Sequence, residues 1–119
     1  MKTVLVVDDE FSIALLLEAV LEDEGFRVIT AANGRQALER MAEIRPNLII
    51  SDFMMPLMDG AAFGRAVRSD PAHLQTPIIM TSGLPESTIR ERFEGHDAFL
   101  RKPFFEPALL KAVADALGR

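Results

Sequence analysis

Asp8 and Asp9 directly follow the apolar run Val4 to Val7, and Asp52 closely follows Leu48-Ile49-Ile50. Ser82 comes just after Ile78-Ile79-Met80, and Lys102 just after Ala98-Phe99-Leu100. Each of these polar residues stands at the carboxyl end of a short apolar run, where open α/β sheets collect their ligands. If the first and third runs are neighbouring strands, Asp8, Asp9 and Asp52 converge and repel one another unless a cation intervenes; hard oxygen donors favour Mg²⁺. A hydroxyl and an ammonium at equivalent strand ends suit the oxygens of a phosphoryl group. Taken singly, each feature has a plainer reading. Asp8-Asp9 can cap a helix, Ser82-Gly83 suits a turn, and Lys102 before Pro103 can be a solvated loop cation. Their recurrence at successive strand ends is what describes a phosphate site.

The elements that must carry these residues alternate. Val4 to Val7 is β-branched and uniformly apolar, as expected of a strand covered on both faces. Ile13, Leu16, Leu17, Val20 and Leu21 form a helical stripe that ends near Gly25. Phe26 to Thr30 reads as a second strand, followed by a helix opening near Asn33 with Ala37, Leu38 and Met41 inward, and Leu48 to Ile50 as a buried strand. After the loop Met54 to Gly60, Phe63, Ala66 and Val67 mark a third helix and Pro77 to Met80 a fourth strand. Pro85 opens a polar fourth helix running through Phe93, Ala98 to Leu100 makes a fifth strand, and Leu110, Val113 and Leu117 mark the last helix. Five βα units with right-handed crossovers give a flavodoxin-like (βα)5 open sheet.

Composition narrows the function. With 119 residues, 49% of them hydrophobic, the chain suffices for one core and is short for two. A net charge of -5 opposes direct nucleic-acid binding, which needs clustered Lys and Arg. There is no cysteine, the start MKTVLVVDDE does not read as a secretory signal, and apolar runs stop well short of the ~20 residues a membrane helix needs. A cytoplasmic protein without a membrane role is expected. Gly60 and Gly64 make no phosphate loop, so nucleotide binding is disfavoured. His73 and His96 are read as exposed loop residues, and the thioethers of Met54, Met55 and Met58 as gap fillers.

The segments VLVVDDE, SDFMMPLMDG, PIIMTSG and FLRKPF occur in the order and spacing of the response-regulator receiver family, which the chain resembles over essentially its whole length. The resemblance implies a doubly wound parallel sheet of strand order 2-1-3-4-5 and a single receiver domain over residues 1–119, stand-alone or excised from a longer regulator. It implies Asp52 as phosphoacceptor, attacking a phosphohistidine to form an acyl phosphate. Asp9, Asp52 and the Met54 carbonyl would ligate Mg²⁺ directly, and Asp8 mostly through water. Lys102 would neutralise phosphoryl charge, and Ser82, rather than Thr81, matches the switch hydroxyl because it precedes the small Gly83. Phe99, three residues before the lysine, would be the switch aromatic, held inward by packing since it lacks a hydroxyl. Partners would be a sensor histidine kinase or phosphotransfer protein, and a downstream effector read by helix four, strand five and helix five, including the run Arg90 to Glu94. Two alternatives stand beside this switch: a small phosphatase or phosphotransferase working on metabolites, and a binding module of the same fold that is never phosphorylated.

Overall fold

The computed structural model describes residues 1–118. Along the chain run β1 (Thr3–Val7), α1 (Phe11–Asp23), β2 (Arg27–Ala31), α2 (Gly34–Glu43), β3 (Leu48–Asp52), α3 (Gly60–Ser69), a 3-10 turn (Pro71–His73), β4 (Ile78–Ser82), α4 (Glu86–Arg90), β5 (Ala98–Arg101) and α5 (Glu106–Ala116). All strand pairs are parallel, and the order is β2-β1-β3-β4-β5. This is the doubly wound flavodoxin-like sheet expected, with its order reversing between β1 and β3.

Uniformly apolar strands demand cover on both faces, and the helices supply it. Val4, Val6, Leu48, Ile50 and Ile79 pack beneath α1 and α5, against Ala14, Leu17, Leu21, Leu109 and Val113. Leu5, Val7, Ile49, Ile78 and Met80 face α2, α3 and α4, against Ala37, Met41, Phe63, Val67, Ile89 and Phe93. Side chains of one strand thus divide between two cores in period two. Asn33 caps α2 by accepting from the Gln36 amide at 2.8 Å, while the Gln36 side chain accepts from Ala32 N at 2.6 Å, a reciprocal cap. Asp59 caps α3 through Ala62 N at 2.8 Å.

Five expectations need correction. In α1 the buried stripe is Ala14, Leu17 and Leu21, and Leu16 is 60% exposed. Three consecutive leucines offer competing faces, and the one in phase with the small Ala14 is buried. β2 begins at Arg27, leaving Phe26 outside it; in α5, Leu109 and Val113 are buried and Leu110 only partly so. Helix α4 stops at Arg90, because Arg92 N turns back to Ile89 O at 3.0 Å and Phe93 dives inward. The Phe93 ring lies against Gly64 and Gly95, where an added Cβ at either glycine would come within 2.6 Å of it. Finally, His73 and His96 are buried, not exposed.

At the end of the sheet where the strands begin, Arg68 of α3 joins two connections, the one from α3 to β4 and the one from α4 to β5. Its guanidinium donates to Gly95 O, His73 O and Thr76 O and pairs with Asp97 Oδ2 at 3.0 Å. Asp97 also accepts from Ile78 N at 2.8 Å. Among the described residues no helix is long and apolar enough to cross a membrane.

Candidate functional site

The opposite end of the sheet, where the strands finish, brings the polar residues together. Asp8 leaves β1 with its amide bonded to Ala31 O at 3.0 Å, and its Oδ1 accepts from Glu10 N at 2.9 Å. Asp52 is the last residue of β3 and Ser82 the last of β4, while Lys102 directly follows β5. Asp8, Asp9 and Asp52 each place a carboxylate oxygen within 4.8 Å of the others. Asp8 and Asp52 are buried, while Asp9 is exposed at the mouth.

Lys102 is anchored by its own backbone, whose N–H donates to Ser82 O at 2.8 Å. From there its Nζ reaches 3.3 Å from Asp8 Oδ2 and 3.4 Å from Asp52 Oδ1, with Glu10 Oε1 at 3.9 Å. Burial pushes the Asp52 carboxyl up from 3.8 to about 6; Lys102 pulls it down and Asp8 pushes it further up. For Lys102, burial opposes the charge but Asp52 and Asp8 outweigh it, so its pKa lies above the ordinary lysine value. Three carboxylates against one ammonium, all hard oxygen donors at an open mouth, fit a divalent cation such as Mg²⁺.

The loop from β3 to α3 closes tightly over this end. Gly60 N donates to Phe53 O at 2.8 Å, and a Cβ on Gly60 would lie 2.7 Å from Asp52 O and Phe53 Cα. Only glycine lets α3 begin so near the end of β3. Met58 N bonds Pro56 O at 2.7 Å across Leu57, whose φ of 68° makes this a strained γ-turn. Arg92 stacks over the Phe53 ring at 5.3 Å and pairs with Asp59 at 2.7 Å, joining the turn after α4 to the start of α3.

The remaining sequence candidates sit around this centre. Ser82 is buried, and its Oγ accepts from Leu84 N at 3.0 Å. Thr81, also buried, pairs with Asp52 in the sheet register, and its carbonyl accepts from Phe53 N. Phe99 is partly buried against the core beneath α2, α3 and α4. Met54 contributes a backbone hydrogen bond to Asp52, and its side chain is exposed. Glu10 was not singled out in the sequence, although a third consecutive acid after β1 could have flagged it. A surface groove of about 490 Å³ around Lys2, Glu24, Phe26 and Leu110 lies at the other end of the sheet, away from this chemistry.

Comparison with known proteins agrees with this geometry. The family model described as response regulator receiver domain matches residues 4–114. PilG of Pseudomonas aeruginosa is 38% identical over 113 residues, covering 92% of this chain and 83% of PilG. The phosphate regulon regulator PhoB of Rhizobium meliloti is 38% identical over 96% of this chain; the chain spans about half of that relative's length (51%). Among solved structures, chemotaxis response regulator CheY4 of Vibrio cholerae superposes with a TM-score of 0.92 at 37% identity, covering 98% of both chains. The receiver domain of sensor histidine kinase PA1611 from P. aeruginosa superposes with a TM-score of 0.91 at 28% identity, covering 99% of this chain and 98% of that one; it holds a magnesium ion coordinated in its active-site cleft.

Fold and site together define a CheY-like signalling switch of two-component systems. The chain belongs to the response regulator receiver domain family.

Proposed function

We propose that Asp52 is the phosphoacceptor of this receiver and that Mg²⁺ assists the transfer. The observation that carries this reading is the meeting of Asp8, Asp9 and Asp52 with a Lys102 ammonium within 3.4 Å of both buried carboxylates. In the reaction an Asp52 oxygen attacks the phosphorus of a phosphohistidine, the P–N bond breaks, the imidazole departs with the electron pair, and an acyl phosphate remains. When bound, Mg²⁺ would neutralise charge on the transferring oxygens, held by Asp9, Asp52 and the Met54 carbonyl, with Asp8 acting through water. Lys102 exchanges one Asp52 oxygen for a phosphoryl oxygen, so the ammonium keeps an anionic partner throughout. Ionised Asp52 is the nucleophile, so proximity of Lys102 supports the reactive form against the cost of burial. No separate general base is required.

The consequence of phosphorylation would be a shift between two conformations. Ser82 turns its hydroxyl to the phosphoryl oxygen and Phe99 moves into the space released, altering the face built by α4, β5 and α5. A sensor histidine kinase or phosphotransfer protein would supply the phosphoryl group, and an effector protein would read the altered face; residues 1–119 would act as one receiver unit that catalyses only its own phosphorylation and dephosphorylation. Intact-mass spectrometry after incubation with Mg²⁺ and a small phosphodonor tests the reading. One added phosphoryl group is expected in the wild type and in neither Asp52→Asn nor a chelator control. A folded wild type that gains no mass and is unperturbed by beryllofluoride would instead be a binding module.

A further inference from the structure

His96 is buried just before β5, and its role is not explained by the phosphoryl site. Its Nε2 lies 3.0 Å from Glu86 Oε2, with the imidazole side chain 1% exposed. Because a carboxylate only accepts, Nε2 is the donor. Nδ1 is buried with no partner, so the ring is fixed by this one bond and by the Phe93 ring 6.3 Å away. Glu86 opens α4, a helix of five residues, too short to hold its own position. Its placement depends on what its side chains grip.

The segment leading into α4 is also gripped from β5. Arg101 Nε donates to Gly83 O at 2.8 Å, Lys102 N donates to Ser82 O at 2.8 Å, and Leu84 N bonds Ser82 Oγ at 3.0 Å. Between Ser82 and Glu86 the chain is therefore tied from the β5 side at Ser82, Gly83 and Glu86, with His96 at its far end. The bond to Glu86 is made by the buried His96 ring. Further along, Ile89 anchors α4 in the core, and the turn after it is held by the more exposed bonds of Arg92 to Asp59 and of Arg65 to Arg92 O at 2.8 Å.

We propose that His96 is a latch that holds the first turn of α4, through Glu86, in the unphosphorylated position. Movement of Ser82 toward a phosphorylated Asp52 pulls on the segment that ends at Glu86, so the receiver switches only when this bond yields. His96 thereby sets the resting balance between the two conformations, which deepens the proposed aspartyl-phosphate switch and rests on it. Releasing the latch raises the fraction of protein ready for phosphorylation and speeds transfer from a small donor by the same factor.

The test uses the whole chain as Glu86→Ala, His96→Ala, the double variant, and Arg90→Ala as a control, since Arg90 also grips Glu86 Oε2 at 2.7 Å. Two readouts are needed: amide hydrogen exchange over residues 82–93 without any donor, and the initial rate of phosphorylation by a small donor with Mg²⁺. Loss of one partly buried hydrogen bond is expected to raise both by about three- to tenfold in each single variant. The double variant should match the singles, and Arg90→Ala should stay within about twofold of wild type, as an exposed pair should. Glu86→Ala creates no core cavity and keeps the test valid if His96→Ala folds poorly. Exchange and rate unchanged in Glu86→Ala, or independent effects that multiply in the double variant, would overturn the latch. A wild type that takes no phosphoryl group defeats the Asp52 reading instead, while exchange still reports on the His96 bond.

Discussion

Replacing Asp52 by Asn should make the metal-free protein more stable, and only above acidic pH. Burial, with Asp8 beside it, outweighs the attraction of Lys102 and raises the folded-state pKa of Asp52 to about 6 from 3.8. At ~1.4 kcal/mol for each factor of ten, a fully sheltered group would lose about 3 kcal/mol of stability on ionising. The site opens to solvent through Asp9, so screening reduces this, and about 1–2 kcal/mol is the expected figure. The sign follows from proton counting. Between pH 3.8 and about 6 the folded protein holds a proton that the unfolded chain has released. Stability tied to Asp52 is therefore full below pH 3.8 and lost as pH rises through about 6. Asn carries no charge, so Asp52→Asn escapes the loss.

The assay is urea unfolding in chelator at pH 4 and at pH 8 for both proteins. The difference between them isolates Asp52, because acids shifted the other way, such as Glu86 under its hydrogen bond from His96, cancel. Asp52→Asn should gain about 1–2 kcal/mol at pH 8 and close to nothing at pH 4. In a chain of this length that corresponds to roughly 3–8 °C in Tm. A gain of equal size at both pH values would refute the electrostatic account, and a loss at pH 8 would mean that the Lys102 bond dominates the burial cost.

Other perturbations probe the supports of the site. Lys102→Met should cost about 2–4 kcal/mol at pH 8, because Asp8 and Asp52 are left buried without a cation; Mg²⁺ should restore most of it, read as a larger Mg²⁺-induced rise in Tm than in wild type. Gly60→Ala should cost more than about 2 kcal/mol, since its Cβ meets backbone at Asp52 and Phe53 that cannot step aside, and denaturation at fixed pH measures it. Gly64→Ala meets the Phe93 ring instead, so the loss should shrink when Phe93→Leu is added, a coupling visible in a double-mutant cycle. Leu57→Gly should raise stability by about 0.5–1 kcal/mol by relieving the positive φ, as urea midpoints would report.

Much of this molecule was legible because its strands are so short and apolar. A run such as Val4 to Val7, followed at once by two acids, fixes both the strand and the place where its polar residues emerge. Asp52, Ser82 and Lys102 were found by the same rule. The alternation itself could not state the strand order, which came from family resemblance and agrees with the sheet observed. Side-chain phase within α1 was harder, since Leu15, Leu16 and Leu17 are alike in composition and only packing against β1 and β3 selects Leu17. The extent of α4 was not readable either. It depends on a slot that Gly64 and Gly95, distant in sequence, open for Phe93. The same nonlocal packing buries His73 and His96, whose neighbours alone suggest exposed loops. Glu10, the third consecutive acid after β1, was legible as a candidate by position, but its approach to Lys102 is set by the path of the chain.

Arg68 gives the two ends of the sheet different mechanical characters. One guanidinium binds carbonyls of the connection between α3 and β4 and of the connection between α4 and β5, and reaches Asp97, which also secures the first residue of β4. Five bonds to one planar, permanently charged group cannot be exchanged one at a time without stranding the rest. The end where strands begin therefore behaves as a clamped base, and the end bearing Asp52 as the free end of a cantilever. A displacement of Ser82 and α4 of the kind proposed above would then stay at this end and reach the surface between α4 and β5, because the base cannot follow it.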